Sequence, residues 1–188
     1  MPPFTSDSHP IYVTVVDTSR PGHVALTFAP GKHDEGAYSG ATWARDLRTD
    51  LDRLVSEYRT GLLVVLLSDH ELAMLGIPDL VAEAEKRMQV LRLPIPDGGV
   101  PSDVAAVREL VMAIGQAAAE GKNVVIHCRG GLGRAGLIGG CFLASLGLSE
   151  KEVFARLARR HPTSCPETQA QREWIRGFCA SFRTAGGS

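Results

Sequence analysis

Seven consecutive residues, Cys128-Arg129-Gly130-Gly131-Leu132-Gly133-Arg134, bring together a thiol, two guanidinium groups and three glycines. Glycines at 130, 131 and 133 let the backbone turn tightly and aim several N–H groups into one concavity. A helix starting just behind them adds positive partial charge, and the result is a nest sized for phosphate or sulfate. A thiol at its floor feels the amides, the helix end and the guanidinium, all of which favour thiolate over thiol. Cysteines in such settings ionise at about 3.5–7.5 instead of ~8.5. Five residues separate Cys128 from Arg134, so both can reach one anion, and the planar fork of arginine can grip two of its oxygens. This is the equipment for attack by sulfur on phosphorus.

The charge balance says that any pull on an anion is local. Twenty Lys and Arg against 21 Asp and Glu leave a formal charge of −1. A general nucleic-acid or anionic-membrane binder needs surplus positive charge, so neither partner is expected. A chain of 188 residues, 44% apolar and 22% charged, can form one core without a metal or disulfide staple. The expectation is a single domain over residues 10–183 with flexible tails at 1–9 and 184–188. Cys128, Cys141, Cys165 and Cys179 contain no C-x-x-C pair, which speaks against a zinc ribbon or a thioredoxin-type motif. No stretch approaches the ~20 apolar residues of a membrane span, and the opening residues lack a basic and apolar leader. Reduced thiols in a cytoplasmic protein, with no metal and no cofactor, are expected.

Positioning the nest requires a strand before it and a helix after it. Residues 123–127 read as a buried strand and 135–146 as an apolar, buried helix. Further strands are predicted at 11–16, 24–28, 62–67 and 90–93, and the unbroken apolar run at 62–67 suits a sheet covered on both faces. Helical spacing of apolar residues predicts helices at 42–58, 79–88 and 103–120, the last capped by Ser102. Ser149-x-x-Glu152 is a capping box opening a helix to about 160, and 167–182 makes the last helix. Strand and helix alternate through the middle of the chain. That pattern implies a three-layer α/β sandwich, a mainly parallel central sheet flanked by helices.

The stretch His127-Cys128-Arg129-Gly130-Gly131-Leu132-Gly133-Arg134 resembles the H-C-x-x-G-x-G-R signature of the protein tyrosine phosphatase superfamily. Leu26-Thr27-Phe28-Ala29-Pro30-Gly31-Lys32, Pro94-Ile95-Pro96-Asp97-Gly98-Gly99 and Glu167-Thr168-x-x-Gln171 are similar to the kinase-associated phosphatase-like branch of the dual-specificity phosphatases. These pieces extend over most of residues 11–182. The resemblance implies that Cys128 is the nucleophile and carries a phosphocysteine intermediate. Residues 129–134 (Arg129, Gly130, Gly131, Leu132, Gly133 and Arg134) would bind phosphate, sulfate or vanadate. Asp97, 31 residues upstream of Cys128, matches the general acid. His127 resembles a histidine bracing the loop, and Gln171 a glutamine orienting water. Ala135 departs from the Ser or Thr usual after the loop arginine, which implies slower breakdown of the phosphoenzyme.

The implied substrates are phosphotyrosine and also phosphoserine or phosphothreonine in proteins. An inositol phosphate or other small phosphoester is the alternative, weakened because Arg129 is the one extra basic residue in the loop. A slow-turnover phosphoprotein-binding module is the alternative of another class. Gly131-x-Gly133-x-x-Gly136 also fits a dinucleotide fingerprint, but the required βαβ unit does not follow it. A sulfurtransferase loop would leave Asp97 unexplained. Around the nest, Asp69 is expected as a helix N-cap with Glu71 in the first turn. Lys32, His33 and Arg45 are expected at the surface, near the rim, and Arg156, Arg159, Arg160 and His161 on a solvated helix face.

Overall fold

The computed structural model describes residues 2–35, 40, 42–162 and 164–185. Five strands form the main sheet: β1 (Thr14–Asp17), β2 (Val24–Thr27), β5 (Thr60–Val65), β6 (Gln89–Arg92) and β7 (Asn123–His127), in the order β1-β2-β7-β5-β6. β1 runs antiparallel to β2 and the other pairs are parallel. A separate two-stranded ribbon joins β3 (His33–Asp34) to β4 (Trp43–Ala44). The helices are α1 (Leu47–Ser56), α2 (Asp69–Met74), α3 (Leu80–Glu85), α4 (Val104–Ala119), α5 (Gly133–Ser145), α6 (Glu150–Leu157) and α7 (Gln169–Ala185).

The apolar sequence of β5, Thr60-Gly61-Leu62-Leu63-Val64-Val65, is buried almost throughout, because helices cover the sheet. Helices α4 and α5 pack on β7 and on each other, while α1 and α3 pack on β5 and β6. This is the expected three-layer α/β architecture with a mainly parallel sheet. Nearly every residue of α5 is buried, since α5 also carries α6 and α7. Its glycines serve that close packing: a Cβ on Gly140 would lie 2.6 Å from Ile175 Cδ1 of α7. No helix among the described residues is long and apolar enough to cross a membrane.

Several expected boundaries move for physical reasons. The helix expected at 42–58 starts at Leu47, because Trp43 and Ala44 are drawn into the ribbon with His33 and Asp34. Asp46, not a residue of the earlier stretch, supplies the N-cap by accepting from Thr49 N. Asp103, not Ser102, caps α4, accepting from the amides of Ala105 and Ala106. The short helix expected to open at Asp69 forms as α2, with its cap one residue earlier. It is capped by Ser68, which forms a capping box with Glu71, so Asp69 is its first residue and pairs with Arg92 at 2.6 Å. The capping box at Ser149 and Glu152 forms as expected.

Residues expected as an N-terminal tail are docked instead. Phe4 donates its amide to Thr42 O and accepts from Ala44 N, and its ring meets Trp43 edge-on. Ser6 is buried and exchanges hydrogen bonds with Asp46. At the other end, α7 continues to Ala185, and residues 186–188 of the expected tail lie outside the described residues.

Arg45 links this N-terminal segment to the core. It lies buried, not on the surface, with Nε 2.7 Å from Asp50 Oδ2 and Nη2 2.8 Å from Asp50 Oδ1. Nη1 donates to His9 O, and Asp50 Oδ2 also accepts from Gly31 N. Asp50 therefore fixes the turn that presents Lys32 and Asp34. Removing one partner of a buried pair leaves an uncompensated charge, at a cost of about 3–5 kcal/mol. Asp50→Asn is expected to lower unfolding stability by about that amount in urea titrations. A loss under about 1 kcal/mol would show that the pair is not isolated from solvent.

Candidate active site

Because β7 is flanked by parallel β2 and β5, three carboxyl ends open on the same edge. Thr27 and Val65 are both in register with His127. Cys128 leaves the sheet at that edge, the expected place for a ligand in a parallel α/β fold. The next residues form the loop, and α5 begins at Gly133. Gly131 adopts φ +74° and has the Thr27 carbonyl 2.4 Å from where a Cβ would stand. No residue but glycine fits there. The turn aims Gly131 N–H at Cys128 Sγ, 3.2 Å away.

Arg134 is almost fully buried, and its guanidinium is held on several sides. Nη1 donates to Glu71 Oε1 at 2.7 Å and to Ile95 O at 2.9 Å, while Nη2 donates to Asp97 Oδ1 at 2.9 Å. The other oxygen of Glu71 completes the capping box of α2 by accepting from Ser68 N. Thus α2 anchors the arginine through one bridging carboxylate. Glu71, expected as a first-turn helix residue, is also a component of the site.

Asp97 sits between β6 and α4 with a solvent-facing side chain that reaches the loop through Arg134. Its neighbours are tied to the start of α7. Thr168 Oγ1 donates to Gly98 O, and Gln171 Nε2 to Gly99 O at 3.0 Å. Gln171 is fully buried and also accepts from Thr168 N, so it holds the Asp97 loop against the nest. Glu167 stands beside it with its carboxylate close to the Gly133 amide. Burial and then the charge of Asp97 push its pKa up, against the pull of that amide and of Arg134. The sequence pattern gave Glu167 no separate role.

Arg129 is clamped by Asp34 through two bonds of 2.9 and 2.8 Å. Lys32 is buried under the loop instead of lying at the surface: Nζ donates to Arg129 O at 3.3 Å and lies 4.7 Å from the Trp43 ring centre. Burial lowers its pKa to about 8, partly offset by Asp34. Arg160, expected on a solvated face, turns inward and donates to Gly131 O at 3.2 Å and Gly130 O at 3.3 Å. Its neighbour Arg156 pairs with buried Asp17 at 2.6 Å. His33 is exposed at the rim and lines a cavity. That cavity, of about 810 Å³, opens beside Asp97. Trp43, Met74 and Pro96 line it together with Glu35, Glu71 and Arg129.

His127 lies wholly inside the sheet, with Nδ1 3.4 Å from Cys128 O and no partner for Nε2 among the described residues. Its contact with the loop is therefore this one long bond to the adjacent carbonyl. Ala135 is buried in the first turn of α5. All four cysteines are free thiols; burial pushes Cys165 up to about 12, and its Sγ donates to Leu132 O at 3.4 Å. Among the described residues no group of three His, Cys, Asp or Glu is placed to hold a metal ion.

The structure thus brings the cysteine loop, the buried arginine and the aspartate together on one edge of a parallel sheet, the arrangement of dual-specificity phosphatase folds. Residues 49–182 match the family described as the Swiss Army Knife protein, DSP-PTPase phosphatase domain, and the chain belongs to that family. A protein of Invertebrate iridescent virus 3, whose name describes it as a tyrosine phosphatase, is 33% identical over 114 residues, 51% of this chain and 46% of that protein. The chain spans about half or less of the length of the curated relatives it matches. The solved structure of Tk-PTP in its active form is 33% identical, with TM-score 0.69, covering 89% of this chain and 96% of that one. Kinase associated phosphatase, with serine in place of its catalytic site cysteine, has TM-score 0.80 at 22% identity, covering 93% and 97%. At that identity the likeness is one of fold.

Burial lowers the pKa of His127 from 6.5 to about 4. The folded state keeps the ring neutral while the unfolded chain takes up a proton near 6.5, so stability falls as pH drops from 6.5 towards 4. Between pH 7 and 5 this ring is expected to remove on the order of 2 kcal/mol, at ~1.4 kcal/mol per unit. Urea titrations of wild type and His127→Asn check it. Equal pH slopes in the two proteins would assign the acid sensitivity to other groups.

Proposed function

We propose that the domain is a cysteine-dependent phosphatase that hydrolyses phosphate monoesters in proteins, phosphotyrosine foremost and also phosphoserine or phosphothreonine. The observation that carries this reading is Gly131 N–H on Cys128 Sγ, in a loop whose Arg134 already bonds Asp97. A phosphoryl group entering the nest competes with Asp97 for Arg134 Nη2 and frees the carboxyl group to face the leaving oxygen. Cys128 as thiolate attacks phosphorus, the P–O bond to the substrate breaks, and protonated Asp97 gives its proton to the departing oxygen. Water then attacks the phosphocysteine, with Asp97 taking its proton and Gln171 in the water-orienting role that the family resemblance implies. Sulfur leaves as thiolate and orthophosphate is released. The loop amides and Arg134 spread the charge of the transferring group throughout.

The cavity beside Asp97 supports a peptide substrate over an inositol polyphosphate. Its apolar lining residues Trp43, Met74, Leu75 and Pro96 suit an aromatic ring and its flanking chain. Its lining also holds the carboxylates of Asp34, Glu35, Glu71 and Asp97, and its arginine, Arg129, is committed to Asp34. Additional phosphates would meet carboxylates there. Ala135 offers no hydroxyl to the sulfur, in keeping with a slow second step. Free thiol chemistry suits the reducing cytoplasm.

A phosphate-release assay on phosphotyrosine and phosphoserine peptides tests the proposal. Cys128→Ser is expected to abolish release. Asp97→Asn is expected to lower kcat by about 10²–10⁴ on phosphoserine, whose alkoxide needs a proton, and by less on an aryl ester with a good leaving group. Phosphate release by Cys128→Ser at the wild-type rate would end the reading. Tight phosphopeptide binding by wild type with no release would point to the binding module instead.

A further inference from the structure

Four successive carbonyls of the loop, those of Arg129, Gly130, Gly131 and Leu132, each have a donor. Lys32 Nζ and Ala29 N serve Arg129 O. Arg160 Nη2 serves Gly130 O and Arg160 Nε serves Gly131 O. Cys165 Sγ and Gly136 N serve Leu132 O. The C=O of one residue and the N–H of the next lie in one rigid plane and point in opposite directions. A carbonyl held outward therefore aims the following N–H inward. One of the four peptide units shows this directly: the unit whose carbonyl Arg160 Nη2 holds sends Gly131 N–H to Cys128 Sγ.

We infer that Lys32 and Arg160 are positioning residues of this site, two cations that grip successive loop carbonyls and so turn its amides toward a bound phosphoryl group. The inference deepens the phosphatase reading and rests on it. Neither residue needs to touch substrate. Lys32 comes from the turn after β2 and is caged by the Phe28 and Trp43 rings at 5.4 and 4.7 Å. Arg160 follows α6 and lies over the Tyr12 ring at 4.8 Å. The charge of each acts on a carbonyl oxygen, which polarises the peptide and strengthens the N–H on its far side.

The pH dependence follows from the charge on Lys32, which is faced by Asp34, Arg129, Cys128 and Arg45. With its pKa lowered to about 8, the amine is charged below that pH and neutral above it. The help given to anion binding should therefore fade as pH rises through 8.

The test is the affinity for inorganic orthophosphate, read from amide NMR shifts of residues 130–133, together with kcat and KM on a phosphotyrosine peptide. Arg160→Met is expected to weaken orthophosphate about tenfold and to lower kcat more than it raises KM, since the amides act most on the transition state. Arg160→Lys should recover part of both losses. Arg156→Met, which removes a cation from the preceding helix that pairs with Asp17, should leave both unchanged. Lys32→Met should weaken orthophosphate below pH 8, with the ratio of wild-type to variant affinity falling towards one above it. Circular dichroism and Tm confirm folding, and if Lys32→Met does not fold, the Arg160 series decides. Orthophosphate binding and kcat unchanged in folded Arg160→Met would overturn the inference alone. A wild-type chain that binds no orthophosphate would overturn the functional reading and the inference together.

Discussion

Backbone dipoles repel one another when their positive ends converge, and a loop that gathers several N–H groups around one sulfur must be held there by its surroundings. That constraint explains much of the molecule. Glycine at 131 is required because the turn has positive φ and passes against the Thr27 carbonyl. The parallel neighbours β2 and β5 are required because they bring the turn after β2 and the helix after β5 to the end of β7. From the first comes Lys32 with Asp34. From the second comes Glu71, which braces Arg134. The buried Arg45–Asp50 pair matters to chemistry for the same reason, since Asp50 fixes Gly31 and so the placement of the residues that follow it.

Charge is handled by pairing around the nest. Arg134 carries its positive charge inside the protein, which is tolerable only because Glu71 and Asp97 meet it with carboxylates and Ile95 with a carbonyl. Arg129 is neutralised by Asp34. The carboxylate of Glu167 lies close to Gly133 of the loop. In the proposed reaction an incoming phosphoryl group exchanges places with carboxylates of the protein, and the balance stays close to constant. A site of this kind needs no positive excess in the whole chain, in agreement with a formal charge of −1.

The parts of this arrangement that were legible in the sequence are those whose residues are neighbours along the chain. Strand, glycine turn and helix are local, so Cys128, the three glycines and Arg134 could be read together, and the alternation of apolar runs gave the sheet and most helices. Asp97 and Gln171 were reached through family resemblance, because nothing in Pro-Asp-Gly-Gly or in one glutamine on a helix distinguishes a site residue from a turn or surface residue. Lys32, Asp34, Glu71 and Arg160 could not be assigned their roles, since their partners lie far along the chain and a charged residue reads as solvated until its partner is known. Trp43 shows the same limit for secondary structure. Its spacing fits a helix, but Phe4 and Asp34 pair with its backbone neighbourhood and draw it into a ribbon. Pairing with a segment outside the local window cannot be read from periodicity.

The claim on which all else rests is that a phosphoryl group becomes bonded to one sulfur at the floor of this loop. Rapid acid quench of the protein during turnover of a phosphotyrosine peptide, followed by mass spectrometry of its proteolytic fragments, observes that bond directly. The account predicts one phosphoryl group on the fragment carrying Cys128, increased in Asp97→Asn with a good leaving group because water attack is slowed. Phosphate release with an unmodified Cys128 fragment at every quench time, or with the label on another residue, would contradict it.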